Sequence, residues 1–181
     1  MNSLFRIQPD DAPTGPALPS APKSSADRFL VPYIVLAACA LAVFISDQIV
    51  KALVAGSLSN GQYVDLLGGL VRIDFTRNSG AAFGMFQSGS FVFAAVAILV
   101  SAGILIFYRR IAGSSTMVRI ALGFILGGAL GNLADRIRLG YVVDYVDLRW
   151  WYVFNLADTA IVVGVGILLL KSSLESGRVS G

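Results

Sequence analysis

The fold class of this chain is decided by residues 91–108, FVFAAVAILVSAGILIFY, a run without a single charged side chain. At about 1.5 Å per residue, a helix over this run is about 27 Å long, close to the ~30 Å hydrocarbon core of a bilayer. Arg109 and Arg110 follow directly, as expected where a helix leaves the membrane. The run therefore predicts a transmembrane helix.

The rest of the chain repeats this pattern. Hydrophobic residues make up 56% of the sequence and charged residues 14%, whereas a soluble domain is about half apolar and a quarter charged. We predict a membrane all-α fold with four transmembrane helices, over about residues 29–50, 91–108, 117–133 and 153–170. In the third, Gly123, Gly127 and Gly131 stand four residues apart and predict a small-residue face for close helix packing.

The ends of the chain differ in composition from the spans. Residues 1–28 hold five of the six prolines and predict a disordered tail; residues 29–171 form the predicted four-helix domain, and residues 172–181 a short C-terminal tail. A cleaved signal peptide is the alternative for the first span, but no small-x-small site leads into a polar sequence. Residues 36–39, LAAC, mimic a lipoprotein cleavage box, yet apolar residues follow, which favours a buried Cys39.

The basic residues indicate the orientation. If the N-terminal tail, the connection between the second and third spans and the C-terminus are cytoplasmic, eight of the fourteen basic residues lie inside. Residues 61–87 and 138–152 then lie on the extracytoplasmic side. Because the basic residues flank apolar runs and form no stripe, nucleic acid is not an expected partner.

Both outer segments have the pattern of extended chain. Residues 61–76 alternate in polarity around Gly68-Gly69, which predicts a β-hairpin that would form a small extracytoplasmic cradle. Residues 140–152 are rich in Val, Tyr and Trp. Their last part fits an interfacial aromatic belt formed by Trp150, Trp151 and Tyr152.

The residue types present exclude several chemistries. The chain has no histidine, which excludes Ser-His-Asp and Cys-His catalysis, rhomboid-type dyads and H-E-x-x-H zinc peptidases. Its one cysteine, Cys39, provides neither a disulfide framework nor a thiolate metal site. Any catalysis must use carboxylates, hydroxyls, lysines or arginines, and we expect no metal and no cofactor.

Acidic residues beside the apolar runs are the candidate functional residues. The tetrapeptide Asn-Leu-Ala-Asp occurs twice, as residues 132–135 ending the third span and residues 155–158 opening the fourth. The spacing places Asn and Asp on one helical face, and the topology places both copies at the outer leaflet. An ionised Asp in hydrocarbon costs about 2.5–3.5 kcal/mol, so such residues are usually paired and functional.

Two of these acids have a base close by in the sequence. Asp135 precedes Arg136, and Asp47 has Lys51 four residues on, so both predict structural ion pairs. Asp158, in contrast, has no cation within a helical turn. Its charge therefore calls for another explanation.

Asp144 also lacks a local base. Asp147 is a rival candidate for the same role, but it lies on the opposite side of the extended segment. Two nearby carboxyl groups cannot both ionise easily, so one stays protonated while the other is charged. Aspartic proteases use such a pair: the charged group draws a proton from water and the protonated group polarises the amide carbonyl. A proton relay or solvated loop acids remain the alternative for Asp144 and Asp158.

The motifs of this chain resemble those of the lipoprotein signal peptidase family, the type II signal peptidases of bacteria. Five blocks match in order between about residues 40 and 165: Ser46-Asp47-Gln48 with Lys51, Asn78-Ser79-Gly80-Ala81-Ala82-Phe83, Gly131-Asn132 with Asp135-Arg136, Val143-Asp144-Tyr145, and Phe154-Asn155-Leu156-Ala157-Asp158. Five blocks in register on a four-span protein form a specific signal. The Pro-rich segment of residues 1–28 departs from the family's usual short N-terminus.

The resemblance implies that Asp144 and Asp158 are the catalytic pair. It implies ordering or substrate-binding roles for Asn78, Asn132, Arg136 and Asn155, and supporting roles for Asp47, Lys51, Asp135, Gly80 and Phe83. Family members cleave a signal peptide before a diacylglyceryl-modified cysteine. The resemblance thus implies prolipoprotein substrates, contact with membrane lipid, a monomer in the bacterial inner membrane, and a short interfacial helix at residues 80–86.

Three other functions compete with this interpretation. A small proton-coupled transporter could use the same acids as a relay, but polar residues do not continue along the spans beyond Ser101. A serine-lysine peptidase could use Lys51 with Ser46 or Ser57, but Asp47 already accounts for Lys51. A purely structural membrane protein leaves the unpaired acids unexplained.

Overall fold

Four long helices dominate the chain, as the computed structural model shows. It describes residues 25–59, 62–80, 89–113 and 115–179, with side chains from residue 33 to residue 177 within those ranges. The helices are α1 (Ser25–Ser57), α2 (Gly89–Ala112), α3 (Thr116–Leu139) and α4 (Leu156–Val179). Each is long and apolar enough to cross a membrane. The prediction of four transmembrane helices is confirmed.

The helix ends differ from the predicted spans. α1 begins at Ser25, so only residues 1–24 of the predicted tail lie outside the described residues. α3 continues to Leu139, six residues past the predicted end, and so carries Asp135 and Arg136 on helical backbone. α4 begins at Leu156 instead of residue 153, because the Asn155 side chain caps it there.

α3 lies at the centre of the bundle and packs against each of the other three helices. Within the described residues, α2 and α4 flank α3 without a close backbone approach to each other. A cleft lined by residues of both helices lies between them, so the bundle is open along this seam.

Glycines permit the close approach of α1 to α3. A Cβ atom at Gly127 would lie 2.5 Å from the Ala40 carbonyl oxygen, and one at Gly123 would lie 2.6 Å from Cys39 Cβ. Since real Cβ atoms do not approach so closely, any side chain here would push the helices apart. The predicted small-residue face is confirmed.

A three-stranded antiparallel sheet lies at one end of the bundle. Its strands are β1 (Tyr63–Leu66), β2 (Val71–Asn78) and β3 (Val142–Asp147), in the order β1-β2-β3. Gly68 and Gly69 adopt φ angles of 68° and 85° in the turn between β1 and β2, which confirms the hairpin. The pairing of β3 with β2 was not predicted, and it places Asp144 opposite Thr76.

Candidate active site

Buried polar side chains of the described residues gather at one end of the bundle, with Ser101 as the exception. They lie where α1, α3, β3 and the start of α4 meet, and hydrogen bonds or ion pairs join them into one network. Its members are Asp47, Lys51, Asn132, Asp135, Asp144 and Asn155. In a membrane protein, such a cluster of polar groups points to function.

The start of α4 is a capping box that holds Asp158. Asn155 Oδ1 accepts a hydrogen bond from the backbone N–H of Asp158 at 2.9 Å, and Asp158 Oδ2 accepts one from the N–H of Asn155 at 3.2 Å. Reciprocal bonds of this kind satisfy two amides that a helix N-terminus leaves free.

Two other residues satisfy the remaining amides of this first turn. Tyr145 Oη accepts the N–H of Leu156 at 3.1 Å, and Asp47 Oδ1 accepts the N–H of Ala157 at 3.0 Å. Asp47 lies on α1 and Tyr145 on β3, so the helix end is held from two directions. The position of Asp158 is thereby fixed relative to both elements.

Asp144 is almost completely buried on β3, with 1% of its surface exposed. Asn155 Nδ2 donates to its Oδ1 at 2.7 Å, and Asn78 Nδ2 donates to its Oδ2 at 2.8 Å. Burial raises the pKa of Asp144 to about 6, and the charge of Asp158 acts in the same direction, against the two amide hydrogen bonds. Asp144 therefore retains a proton far more readily than an exposed aspartate.

Two asparagines connect Asp144 to Asp158. Asn132 Nδ2 donates to Asp158 Oδ1 at 2.7 Å, while Asn132 Oδ1 accepts from Asn155 Nδ2 at 3.1 Å. Asn155 Nδ2 also donates to Asp144, so one chain of amides links both carboxyl groups. The two side chains come from β3 and α4, yet they belong to a single site.

Lys51 is a buried cation behind this pair. Its ammonium lies 2.8 Å from Asp47 Oδ2 and 2.9 Å from Asp135 Oδ2, and it donates to Asn132 Oδ1 at 2.9 Å. The predicted pair of Asp47 with Lys51 is confirmed. The prediction that Asp135 pairs with Arg136 is wrong, because α3 directs Asp135 toward α1.

Arg136 instead faces a cleft between α2 and α4. Its Nη1 donates to the Asn132 carbonyl oxygen at 3.3 Å, its guanidinium lies 5.3 Å from the centre of the Phe93 ring, and its Nε is buried without a hydrogen-bond partner. The cleft has a volume of about 250 Å³, and Asp158 and Asn132 also line it. A polar group entering from the bilayer would therefore meet Arg136 and Asp158 together.

Comparison with known proteins identifies the family. The model of the family described as signal peptidase (SPase) II matches residues 39–174, which include the whole polar network. The chain belongs to the signal peptidase II family.

Similar proteins agree with this membership. The lipoprotein signal peptidase of Moorella thermoacetica is 42% identical to this chain, over 82% of this chain and 97% of the relative. The lipoprotein signal peptidase of Leifsonia xyli is 38% identical, over 91% of this chain and 80% of the relative. A bacterial membrane enzyme solved by the in meso method at 2.3 Å resolution has a similar fold, with a TM-score of 0.72. The two sequences are 25% identical, and the match covers 82% of this chain and 90% of that one. A second, solved at 1.9 Å resolution, has a TM-score of 0.69, 27% identity, and coverage of 78% and 91%.

The structure brings most of the signal peptidase II motif residues together. Gly80 also belongs to the site: its φ is 78°, its N–H donates to Asn78 Oδ1 at 2.8 Å, and a Cβ there would meet the Phe93 ring. Phe83 and residues 81–86 of the expected interfacial helix lie outside the described residues. Asp147 does not join the site, because its Oδ1 accepts the Arg149 N–H at 2.6 Å.

Two residues of the signal peptidase II site carried no functional prediction from the sequence. Gln48 Nε2 donates to Asp135 Oδ1 at 3.0 Å, and Tyr145 accepts the first amide of α4. Burial raises the pKa of Tyr145 to about 12, so its hydroxyl stays protonated. Both occur inside matched motifs, but only the packing of distant elements gives them partners.

Proposed function

We propose that this member of the signal peptidase II family is an aspartic endopeptidase that removes the signal peptide of prolipoproteins by cutting before a diacylglyceryl-modified cysteine. The observation that carries the proposal is the pair Asp144 and Asp158, linked through Asn132 and Asn155 beside a cleft open to lipid. Membership of the family supports a signal peptidase activity, and the pair supports the aspartic mechanism. The comparisons give no support to the transporter alternative.

The two carboxyl groups differ in the way the mechanism requires. Asp158 is half-buried at the N-terminus of α4, and both of its oxygens accept hydrogen bonds, from Asn132 Nδ2 and from the Asn155 N–H. Asp144 is buried with its pKa raised to about 6, which favours the protonated form. We therefore assign Asp158 as the base and Asp144 as the acid.

The reaction then follows general acid–base chemistry. Asp158 takes a proton from a water molecule whose oxygen bonds to the carbonyl carbon of the scissile amide, while Asp144 donates its proton to the carbonyl oxygen. The tetrahedral intermediate collapses when the C–N bond breaks and the nitrogen receives the proton held by Asp158. In the same step Asp144 takes back a proton from a hydroxyl of the intermediate. The products are a signal peptide with a new carboxyl group and a lipid-modified cysteine with a free amine.

Roles of the surrounding residues follow from their contacts. Asn78 and Asn155 orient Asp144, Asn132 orients Asp158, and Arg136 is available in the cleft to a carbonyl oxygen of the substrate. Supporting positions belong to Asp47, Lys51, Asp135 and Gly80, and the motifs of the family imply one for Phe83. We further propose that the site faces the extracytoplasmic side of a bacterial inner membrane, that the enzyme acts as a monomer, and that it needs no metal or cofactor.

Cleavage of a diacylglyceryl-modified prolipoprotein by the purified protein tests this function. We expect Asp144→Asn and Asp158→Asn to remain folded in detergent and to lose cleavage by at least about 10³-fold, since general acid–base groups contribute about 10²–10⁴. Asp147→Asn on the same strand is the matched control and should keep its activity. Substantial turnover by either Asn variant would refute the assignment.

A further inference from the structure

A second cleft opens on the other side of α4 from Arg136. It has a volume of about 480 Å³, and its walls are Leu148, Trp150, Trp151, Phe154, Asp158, Thr159, Val162 and Val163. Asp158 is the residue that lines both clefts. The two clefts therefore meet at Asp158, one residue of the carboxyl pair. We call this second opening the tryptophan cleft.

The tryptophan cleft runs down α4 into the membrane. On α4 it extends from Asp158 to Val163, which is about 7.5 Å along a helix axis. Its other wall is the segment between β3 and α4, where Trp150 and Trp151 are 76% and 62% exposed. Phe154 is anchored by a bridge to Val146.

The two clefts differ in the hydrogen bonds that they offer. The cleft of Arg136 is lined by a guanidinium whose Nε has no hydrogen-bond partner and by the Asp158 carboxylate. A guanidinium donates to C=O groups and a carboxylate accepts from N–H groups, so both suit a peptide in lipid. In the tryptophan cleft the exposed lining is apolar, and the Thr159 hydroxyl already donates to the Asn155 carbonyl. This lining suits an occupant that makes no hydrogen bonds.

We infer that the tryptophan cleft holds an acyl chain of the substrate's diacylglyceryl group, while the signal peptide occupies the cleft of Arg136. This inference rests on the proposed function. The scissile bond joins the signal peptide to the lipid-modified cysteine, so peptide and lipid must leave the carboxyl pair in different directions. Asp158 at the junction of a polar and an apolar cleft provides those two directions.

Filling the cleft tests the inference. Val162→Trp adds bulk inside the tryptophan cleft, and Val165→Trp adds the same bulk at an exposed α4 position outside both clefts. Each variant and the wild type are assayed with two substrates, which are the same prolipoprotein carrying either palmitoyl or butyryl chains. Each substrate partitions into the bilayer to the same extent whichever variant is present, so the ratio of the two kcat/KM values is compared between variants and wild type.

We expect Val162→Trp to lower kcat/KM about tenfold more for the palmitoyl substrate than for the butyryl substrate, because only a long chain needs the cleft for positioning. Val165→Trp should match the wild type on both. An equal loss on both substrates, or no loss on either, would overturn the inference. A wild type that cleaves neither substrate would overturn the proposed function itself.

Photocrosslinking gives a second readout that does not depend on a filled cleft. A precursor with a diazirine in its acyl chain is bound to the Asp144→Asn variant, which leaves every residue of the cleft wall in place. We expect crosslinks to Trp150, Trp151 and Val162. Crosslinks to Phe93 and Val96 in the other cleft, or none to the tryptophan cleft, would contradict the assignment.

Discussion

At the scale of single residues, the site depends on a buried cation that does not touch the carboxyl pair. Lys51 compensates Asp47 and Asp135 and donates to the Asn132 amide, which in turn donates to Asp158. Removing one partner of a buried ion pair costs about 3–5 kcal/mol, because the remaining charge is left without compensation. Lys51 is thus both a structural residue and a positioning residue.

We predict that Lys51→Met lowers both the melting temperature in detergent and kcat. The triple variant Lys51→Met, Asp47→Asn, Asp135→Asn removes the uncompensated charges, so it should regain most of the stability. It should not regain kcat, because Asn132 still lacks the hydrogen bond from Lys51 and keeps only the one from Asn155. Lys171→Met breaks a surface pair with Glu175 and serves as the control. A triple variant with wild-type kcat would show that Lys51 acts through charge balance alone.

Asp144 makes the pH dependence of cleavage predictable. With a pKa of about 6, Asp144 loses its proton as the pH rises through that value. The active form, in which one of the two carboxyl groups carries a proton, is then no longer populated. We therefore expect kcat/KM to fall with rising pH on a basic limb near pH 6, since kcat/KM reports the free enzyme.

Asn78→Ala tests the origin of that limb. The hydrogen bond from Asn78 favours the carboxylate and lowers the pKa of Asp144, so its removal should move the limb to higher pH. Gln62→Ala, which removes an exposed hydrogen bond before β1, should leave it in place. A shift to lower pH after Asn78→Ala would mean that the limb belongs to another group.

At the scale of elements, the contact of α3 with α1 sets the geometry of the site. Gly131 faces Asp47 so closely that a Cβ would lie 2.6 Å from Asp47 Oδ2. Asp47 binds both Lys51 and the Ala157 N–H. A displacement of this carboxylate would therefore alter a hydrogen bond in the first turn of α4.

We predict that Gly131→Ala destabilises the protein by about 1–3 kcal/mol, as overpacking does, and lowers cleavage at the same time. Gly103→Ala on α2 is the control, because nothing lies within 4 Å of its Cβ position. The control should keep its activity and gain about 0.5–1 kcal/mol, since alanine favours helices. Thermal unfolding in detergent and the cleavage assay measure both effects. Full activity of Gly131→Ala would show that Asp47 can move without consequence.

At the scale of the whole molecule, the four antiparallel spans place the polar network at one end. The sheet, the end of α1 and the start of α4 share that end, and the end of α4 lies at the other. From the positive-inside rule we predict that the site lies outside and that both termini lie in the cytoplasm.

Single cysteines in a Cys39→Ser background test this orientation. We expect an impermeant thiol reagent to label a cysteine introduced as Ser59→Cys in intact cells, and Ser173→Cys only after the membrane is opened. Both serines are exposed, so access to the aqueous phase decides the labelling. The opposite pattern would invert the topology.

The sequence by itself determined the four helices, the hairpin and the candidate acids. Helix number follows from apolar length against bilayer thickness, and the turn at Gly68-Gly69 follows from local backbone preference. The cost of an acid in hydrocarbon marks Asp158 without any knowledge of its neighbours. These properties depend only on a short segment and its solvent, so they can be predicted from the linear sequence.

Tertiary structure alone decided the partners. Asp135 meets Lys51 across α1 and α3, although Arg136 is adjacent in sequence, and Asn78 reaches Asp144 only because β3 pairs with β2. α4 begins at Leu156 because its amides find acceptors on α1 and β3. Each of these contacts depends on which elements meet in space. No local periodicity or propensity encodes that choice, because its free energy comes from satisfying buried polar groups between distant segments.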